Sequence, residues 1–166
     1  MTEEIISSSK NNAPSSPRAH WTGDEGTISL AEVSDDLTRR FSSGIKSFDH
    51  VLGGGFVEGA LVLVGGDPGI GKSTLLMQIA HHIQKNAPVL YVSGEESKAQ
   101  IRMRAQRLEM SESNITLCAQ TSFEYISNVI SKLKPKICII DSIQTMYSET
   151  LSSAPGSVSQ AREVTA

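Results

Sequence analysis

The chain has 166 residues, of which 39% are hydrophobic and 20% charged, and its formal net charge at pH 7 is −3. This length is typical of one globular domain with a sizeable core. The net charge excludes a global basic field, so any DNA contact would have to come from a local patch or from subunits around a channel. No stretch approaches the roughly 18 apolar residues of a membrane span, and no signal peptide opens the sequence, which predicts a cytoplasmic protein without a membrane partner.

The N-terminal residues differ in composition from the rest of the chain. Residues 1–26 are rich in Ser, Asn and Pro and lack apolar periodicity, which predicts a disordered tail or linker. Residues 27–166 are then the folded domain. The two cysteines, Cys118 and Cys138, lie in apolar, strand-like runs, so we expect reduced core residues and neither a disulfide nor a metal site.

The first predicted elements of the domain are a short helix and a core strand. Ser47 is the expected N-cap of the helix, and the glycines at 53–55 end it. The apolar run Ala60–Val64 predicts the first strand of the core. The residues that give the helix its apolar spacing are Ile45, Phe48, Val51 and Leu52.

A glycine-rich loop follows this strand and opens a second helical pattern. Its spacing, G-x-x-x-x-G-K-S between a strand and a helix, is that of a phosphate-binding P-loop. Glycines let backbone N–H groups surround an anion, and the positive end of the helix dipole faces the phosphates. Lys72 would add charge for the β- and γ-phosphates, and Ser73 would give its hydroxyl to Mg²⁺. A plain glycine turn is the weaker alternative, given the flanking strand and helix. The predicted nucleotide-binding residues are Gly66, Asp67, Pro68, Gly69, Ile70, Gly71, Lys72, Ser73 and Thr74.

Strands and helices alternate after this loop. The helix that the loop opens has its core face at Leu76, Ile79, Ala80 and Ile83. Continuous apolar strands between helices predict an α/β fold with a mostly parallel sheet and helices on both faces. The later elements are predicted as a strand Val89–Val92, a basic amphipathic helix Ser97–Leu108, a strand Ile115–Cys118, a helix Phe123–Leu133 that buries Phe123, Ile126, Ile130 and Leu133, and a strand Ile137–Ile140.

Acidic residues follow two of these strands, where ligands of parallel sheets bind. Asp141 closes an apolar strand, which is the Walker B pattern, and would hold Mg²⁺ beside Ser73. The alternative is an ordinary aspartate at a strand end. Glu95 and Glu96 follow the second strand of the core, and we favour Glu95 as the catalytic residue that orients the attacking water, acting with Lys72. The alternative role of this glutamate pair is to stabilise a helix N-terminus.

The amphipathic helix after the glutamates carries four basic residues that we expect to point mostly outward. They have two interpretations: contacts to the phosphates of DNA or to a neighbouring subunit, or a solvated helix face. A solvated face is the favoured interpretation. The residues are Lys98, Arg102, Arg104 and Arg107.

In combination, these motifs resemble the RadA (Sms) family of bacterial DNA repair proteins, from about residue 41 to residue 166. The resemblance implies a RecA-like ATPase core that uses ATP and Mg²⁺ and assembles into a hexameric ring. It also implies DNA-dependent ATP hydrolysis and branch migration of recombination intermediates on single-stranded or branched DNA, together with the RecA recombinase. By position, Asp141 would be the Walker B carboxylate and Glu95 the catalytic glutamate. The matching segments are Ser43–Gly55, Gly65–Leu76, Val92–Ser97, Ile140–Met146 and Ala154–Gln160.

The sequence departs from the family pattern at both ends. Full-length members carry a four-cysteine zinc finger, and this chain has no ligands for zinc there. The family's Lys-Asn-Arg-Phe-Gly motif and Lon-protease-like domain are also absent. We therefore expect a fragment whose ATPase domain is incomplete at the C-terminal end. Such a piece would be prone to association through its uncovered sheet edge and would hydrolyse ATP weakly or not at all.

A second function fits the same residues. A RecA-like ATP-dependent switch of the clock-protein type, which acts on proteins and not on DNA, would also place paired glutamates after its second strand. A bare nucleotide-binding remnant without turnover is a third possibility. Salt-sensitive binding to single-stranded DNA in the presence of ATP separates the first two.

Overall fold

The structure is a computed structural model that describes residues 40–151 and 157–160. The predicted tail, residues 1–26, lies outside the described residues. In chain order the elements are β1 (Arg40–Phe41), α1 (Lys46–Val51), β2 (Phe56–Val57), α2 (Lys72–Ile83), β3 (Val89–Ser93), α3 (Lys98–Arg107), β4 (Thr116–Cys118), α4 (Phe123–Leu133), β5 (Ile137–Asp141) and a 3₁₀ turn (Ile143–Thr145).

The core is a parallel sheet in the order β4-β3-β5. Every residue of the central strand β3 is buried, because its apolar side chains are covered from both faces. One face packs against residues of α2 and α3, among them Met77 and Ile101, and the other packs against Ile126 of α4. The predicted α/β fold with a parallel sheet and helices on both faces is confirmed.

The connection from α2 to β3 determines which end of α2 lies at which edge of the sheet. Residues 84–88 form a short turn between Ile83, the last residue of the helix, and Val89, the first residue of the strand. Helix α2 also packs against β3 and β5. Because the helix runs back along the strands, its first residue, Lys72, lies toward the edge where β3 and β5 end. That edge is where ligands of parallel α/β sheets bind.

The predicted core strand Ala60–Val64 is wrong. The structure assigns no strand to these residues, and they pair with none of the strands in the described part of the chain. Leu61 and Leu63 are 82% and 84% exposed, whereas Val62 and Val64 are partly buried. The apolar composition predicted burial on both faces. Here Val62 packs against the core, whereas the side chains of Leu61 and Leu63 face solvent.

A small antiparallel pair, β1–β2, brackets α1 and was not predicted. Arg40 of β1 connects this strand to the segment between α1 and β2: its Nη1 atom donates to the carbonyl oxygens of Leu52 at 2.8 Å and Gly55 at 3.3 Å. The expected N-cap is also wrong: Ser47 lies inside α1, and Ile45 is the N-cap without a side-chain hydrogen bond. Two-residue strands carry too few residues to show alternation, so the sequence pattern could not indicate them.

The remaining elements agree with the predicted ones to within one or two residues at each end. Helix α4 has the predicted bounds, but Phe123 is 39% exposed, so its predicted burial is wrong. Phe123 is the first residue of the helix, where the side chain has covering neighbours on one side only. Cys118 and Cys138 are free thiols, as predicted. Among the described residues no helix has both the length and the apolar character needed to cross a membrane.

Candidate nucleotide-binding site

The predicted phosphate loop, residues 66–71, leads into α2, and two of its glycines have backbone dihedral angles in the left-handed region. Gly69 has φ +80° and Gly71 has φ +104°, values that residues with a Cβ rarely adopt. Gly71 is the N-cap of α2, and no side chain caps the helix. The first N–H groups of a helix have no partner within the helix, so this terminus can bind an anion. The structure thus places positive backbone dipoles where the sequence predicted a phosphate site.

Lys72 folds back over this loop. Its Nζ atom donates to the carbonyl oxygens of Gly66 at 2.6 Å and of Asp67 at 2.8 Å. Both acceptors are neutral, and a phosphate oxygen forms a stronger, charge-assisted bond with an ammonium group. Lys72 therefore lies within the loop, in a position from which it can exchange weak acceptors for a stronger one. Ser73 and Thr74 follow in the first turn of α2 and are partly buried.

Asp141 lies at the end of β5, on the face of the sheet that α2 and α3 cover. Ile139, two residues earlier on the same face, packs in the core cluster with α2. The Tyr91 hydroxyl donates to Asp141 Oδ2 at 2.6 Å. Burial and this carboxylate raise the pKa of Tyr91 far above its ordinary value, so the hydroxyl keeps its proton and donates. Within the described residues, Asp141 Oδ1 accepts no hydrogen bond, which leaves it able to face a cation or its water.

Arg104 lies beside Asp141, and the prediction that it points outward is wrong. Its side chain is 11% exposed, and its Nη2 atom forms an ion pair with Glu96 Oε2. Its Nη1 atom lies 4.0 Å from Asp141 Oδ2. Arg104 shares the inward stripe of α3 with Ile101, Ala105 and Leu108, at spacings of three and four residues. That spacing could have indicated that Arg104 points inward. The prediction missed it because a charged side chain was expected to face solvent.

The two glutamates after β3 have different environments. Glu96 is held by Arg104, and its backbone N–H donates to Ser93 Oγ at 3.0 Å. Glu95 is exposed, and its Oε1 atom accepts a hydrogen bond from Ser142 Oγ at 2.7 Å. Glu96 thus has the structural partner, and Glu95 remains the more accessible carboxylate.

Backbone contacts bring the ends of β3 and β5 together. Ser93 pairs with Asp141 in the ladder, and the Gly94 N–H donates to the Asp141 carbonyl at 3.1 Å. A Cβ on Gly94 would lie 1.8 Å from Thr145 Oγ1, so only glycine lets the 3₁₀ turn approach this closely. Glu95 and Asp141 therefore lie at the same edge of the sheet. No hydrogen bond or ion pair joins them to Lys72 in the part of the chain that the structure describes, and the direction of α2 is what brings the loop to their edge.

The residues present fit a nucleotide with Mg²⁺ better than a metal held by protein alone. In residues 40–151 and 157–160 no group of three or more His, Cys, Asp or Glu side chains is arranged to hold a metal ion. P-loop proteins hold Mg²⁺ with a hydroxyl from the first turn of the helix and a carboxylate at a strand end, and phosphates and water complete the set. Ser73 and Asp141 are residues of these two types at these two positions.

Sequence comparisons agree with this geometry. A family model described as "ATPase: KaiC" matches residues 41–121. A DNA repair protein RadA of Pseudomonas aeruginosa is 48% identical over 153 residues, which are 91% of this chain and 34% of that protein. The RadA proteins of Bacillus subtilis and Streptococcus pneumoniae are 42% and 46% identical over 100% and 99% of this chain, and 36% and 38% of their own lengths.

The chain thus spans little more than a third of the length of these relatives. The alignment with the Bacillus subtilis protein covers the whole chain, including the glycine-rich loop and the two strand ends that carry the acidic residues. Proteins with this domain use a nucleotide and Mg²⁺. The chain carries an α/β RecA-like ATPase domain, and over nearly all of its length it is similar to the bacterial RadA proteins.

Proposed function

We propose that the protein hydrolyses ATP in recombinational DNA repair, and that its hydrolysis depends on DNA. The observation that carries this proposal is the packing of α2 against β3 and β5, from which we infer that the start of α2, with Lys72, lies toward the sheet edge of Glu95 and Asp141. Phosphoryl transfer needs little covalent chemistry from the protein, since positioning and charge stabilisation supply most of the catalysis. A cation-bearing loop opposite two acids is the arrangement that this reaction requires.

Each residue of the site then has one role. Gly66, Asp67, Pro68, Gly69, Ile70, Gly71 and Thr74 surround the phosphates together with Lys72. Ser73 and Asp141 would hold Mg²⁺, which would supply positive charge beside the phosphates. Glu95 orients the attacking water. The ion pair between Glu96 and Arg104 supports this choice, because Glu96 is already occupied by the arginine whereas Glu95 is exposed.

The DNA-repair part of the proposal rests on the RadA relatives. We infer single-stranded or branched DNA as the partner, branch migration of recombination intermediates with the RecA recombinase as the task, and a hexameric ring as the working assembly. The 166-residue chain alone would hydrolyse ATP slowly or not at all, since it spans little more than a third of these relatives. We place the protein in the cytoplasm, where its DNA substrate lies.

A RecA-like switch of the clock-protein type, acting on proteins, is the second candidate. The match of residues 41–121 to a family model described as "ATPase: KaiC" favours it. The two functions differ in salt response. Binding to single-stranded DNA in the presence of ATP would weaken steeply between 50 and 200 mM salt, because bound phosphates release counterions. A protein-directed switch would show no such binding.

Two substitutions test the ATPase site itself. Lys72→Ala should abolish ATP binding, whereas Lys85→Ala, an exposed lysine after α2, should leave it unchanged. Glu95→Gln should keep ATP binding and lower hydrolysis about 100-fold or more, measured in a single turnover with the chain in excess over ATP so that slow hydrolysis by the original chain is detected. Glu112→Gln, an exposed glutamate, is the matched control. Full hydrolysis by Glu95→Gln would remove Glu95 from the site, and full ATP binding by Lys72→Ala would refute the nucleotide site as a whole.

A further inference from the structure

The ends of β3 and β5 concentrate negative charge around one buried cation. Glu95, Glu96 and Asp141 lie there, and in the described part of the chain Arg104 is the cationic side chain in ion-pair contact with this group. Because the arginine side chain is only 11% exposed, solvent screens its charge weakly. The acids and the arginine therefore act on one another strongly.

The two terminal nitrogen atoms of the Arg104 guanidinium have different contacts. Nη2 is engaged by Glu96, whereas Nη1 is buried, lies 4.0 Å from Asp141 Oδ2 and has no hydrogen-bond partner among the described residues. A distance of 4.0 Å is too long for a hydrogen bond, so charge and not a bond connects Nη1 to Asp141. The Tyr91 hydroxyl already holds Asp141 Oδ2 in place. The contribution that remains for Arg104 is its positive charge.

We infer that Arg104 is a positioning residue that neutralises Asp141 and Glu96, so that a divalent cation binds at Asp141 only together with the nucleotide. This inference rests on the proposed role of Asp141. A cation and the guanidinium compete for the same carboxylate charge, so Arg104 weakens cation binding by the free protein. A triphosphate brings negative charge that offsets the arginine, and this couples the two binding events.

Binding of Mn²⁺ alone, without nucleotide, tests the inference. Free Mn²⁺ is measured by electron paramagnetic resonance in a titration of the chain. Arg104→Gln removes the charge and should tighten Mn²⁺ binding about tenfold, the order expected for one screened unit charge near a divalent cation. Arg104→Lys keeps the charge and should bind as weakly as the original chain. Arg102→Gln, on the exposed face of the same helix, is the control and should change nothing.

Combination with Asp141→Asn locates the cation. The tighter Mn²⁺ binding of Arg104→Gln should disappear in the double variant, since the carboxylate that it exposes is gone. No gain in Arg104→Gln, an equal gain in Arg104→Lys, or a gain that survives Asp141→Asn would each overturn the inference. Circular dichroism checks that the variants fold, and a general loss of structure would weaken Mn²⁺ binding and not tighten it.

A different experiment, ATP binding by Lys72→Ala, tests the proposed function independently of the role of Arg104. If Lys72→Ala binds ATP as the original chain does, the nucleotide site is wrong. If Lys72→Ala fails to bind ATP while Arg104→Gln shows no change in Mn²⁺ affinity, the site stands and the role of Arg104 is wrong. The two results therefore cannot be confused.

Discussion

At the scale of single residues, Gly94 shows how closely the site is packed. It lies between Ser93, the last residue of β3, and Glu95, and the 3₁₀ turn covers it. An added Cβ would lie 1.8 Å from Thr145 Oγ1 and 3.0 Å from Met146 Cε. The backbone of Gly94 has no positive φ in the strained range, so the restriction is one of space alone. The glycine is what lets the end of β3 pass beneath the turn after β5.

Gly94→Ala should therefore destabilise the fold by about 1–3 kcal/mol, the usual range for overpacking. Urea unfolding followed by circular dichroism measures the free energy of unfolding. Gly65→Ala is the matched control, since its Cβ would meet nothing within 4 Å and its backbone has no restricting φ. Equal stability of Gly94→Ala and the original chain would show that the turn moves aside freely.

Cys138 predicts a pH dependence of stability. Burial, and to a smaller extent the nearby Cys118, raises the pKa of Cys138 from 9.0 to about 11. The folded chain keeps a proton that the unfolded chain releases, so the thiol's contribution to stability is complete below pH 9 and is lost as the pH rises toward 11. The free energy of unfolding should therefore fall more steeply from pH 9 to 10.5 in the original chain than in Cys138→Ala. Parallel pH profiles would contradict the raised pKa.

Residue types predicted part of this site, and contacts determined the rest. Lys72, Asp141 and Glu95 follow from a motif or a strand end, because their chemistry requires those residue types at those positions. Arg104 does not, because a charged residue on an amphipathic helix is expected in solvent. Its burial depends on contacts with Glu96 and Asp141, which the helical pattern of α3 alone does not show.

At the scale of elements, α3 depends on its N-terminal cap. Ile101 is the one apolar residue that the helix buries fully, so hydrophobic packing holds it weakly. Ser97 and Gln100 form a capping box in which the Gln100 N–H donates to Ser97 Oγ at 3.3 Å and the Ser97 N–H donates to Gln100 Oε1 at 2.8 Å. Because Glu96 precedes the cap directly, the start of α3 also fixes the acidic end of β3.

Ser97→Ala should cost about 1 kcal/mol of stability, since it leaves a helical N–H without its acceptor. Thermal and urea unfolding measure the loss. Ser131→Ala in α4 is the control: its hydroxyl donates to the Ser127 carbonyl one turn earlier, and alanine is a better helix former at such a position. If both variants lose the same stability, the cap contributes nothing specific.

Helices and strands could be predicted from the sequence where the apolar pattern and the length of the segment indicated the same type of element. Helix α4 and strands β3 and β5 have regular apolar patterns; α4 has its predicted bounds, and each of the two strands ends one residue later than predicted. The segment Ala60–Val64 has an equally apolar composition but no neighbouring strand in the described chain. A β-strand forms only when a neighbouring strand is present for backbone hydrogen bonding, so apolar composition alone cannot predict one.

At the scale of the whole molecule, one feature is a group of large apolar side chains that do not pack in the core. They lie before and within the phosphate loop. Leu61 and Leu63 are 82% and 84% exposed, and Ile70 is 72% exposed. Large apolar side chains close together along one segment favour association over solvation. Their backbone pairs with no strand among the described residues, so it can also accept an added strand.

We therefore expect the chain to self-associate with rising concentration, and we expect Leu61→Gln combined with Leu63→Gln to reduce that association. Sedimentation velocity at several concentrations measures the fraction of monomer. Met103→Gln removes a 62% exposed apolar side chain on α3 and is the control for a general gain in polarity. If the double variant and Met103→Gln raise the monomer fraction equally, the segment before the phosphate loop is not the surface involved. A gain confined to the double variant would assign the association to residues 61–63, because these two leucines are the large exposed side chains that it removes.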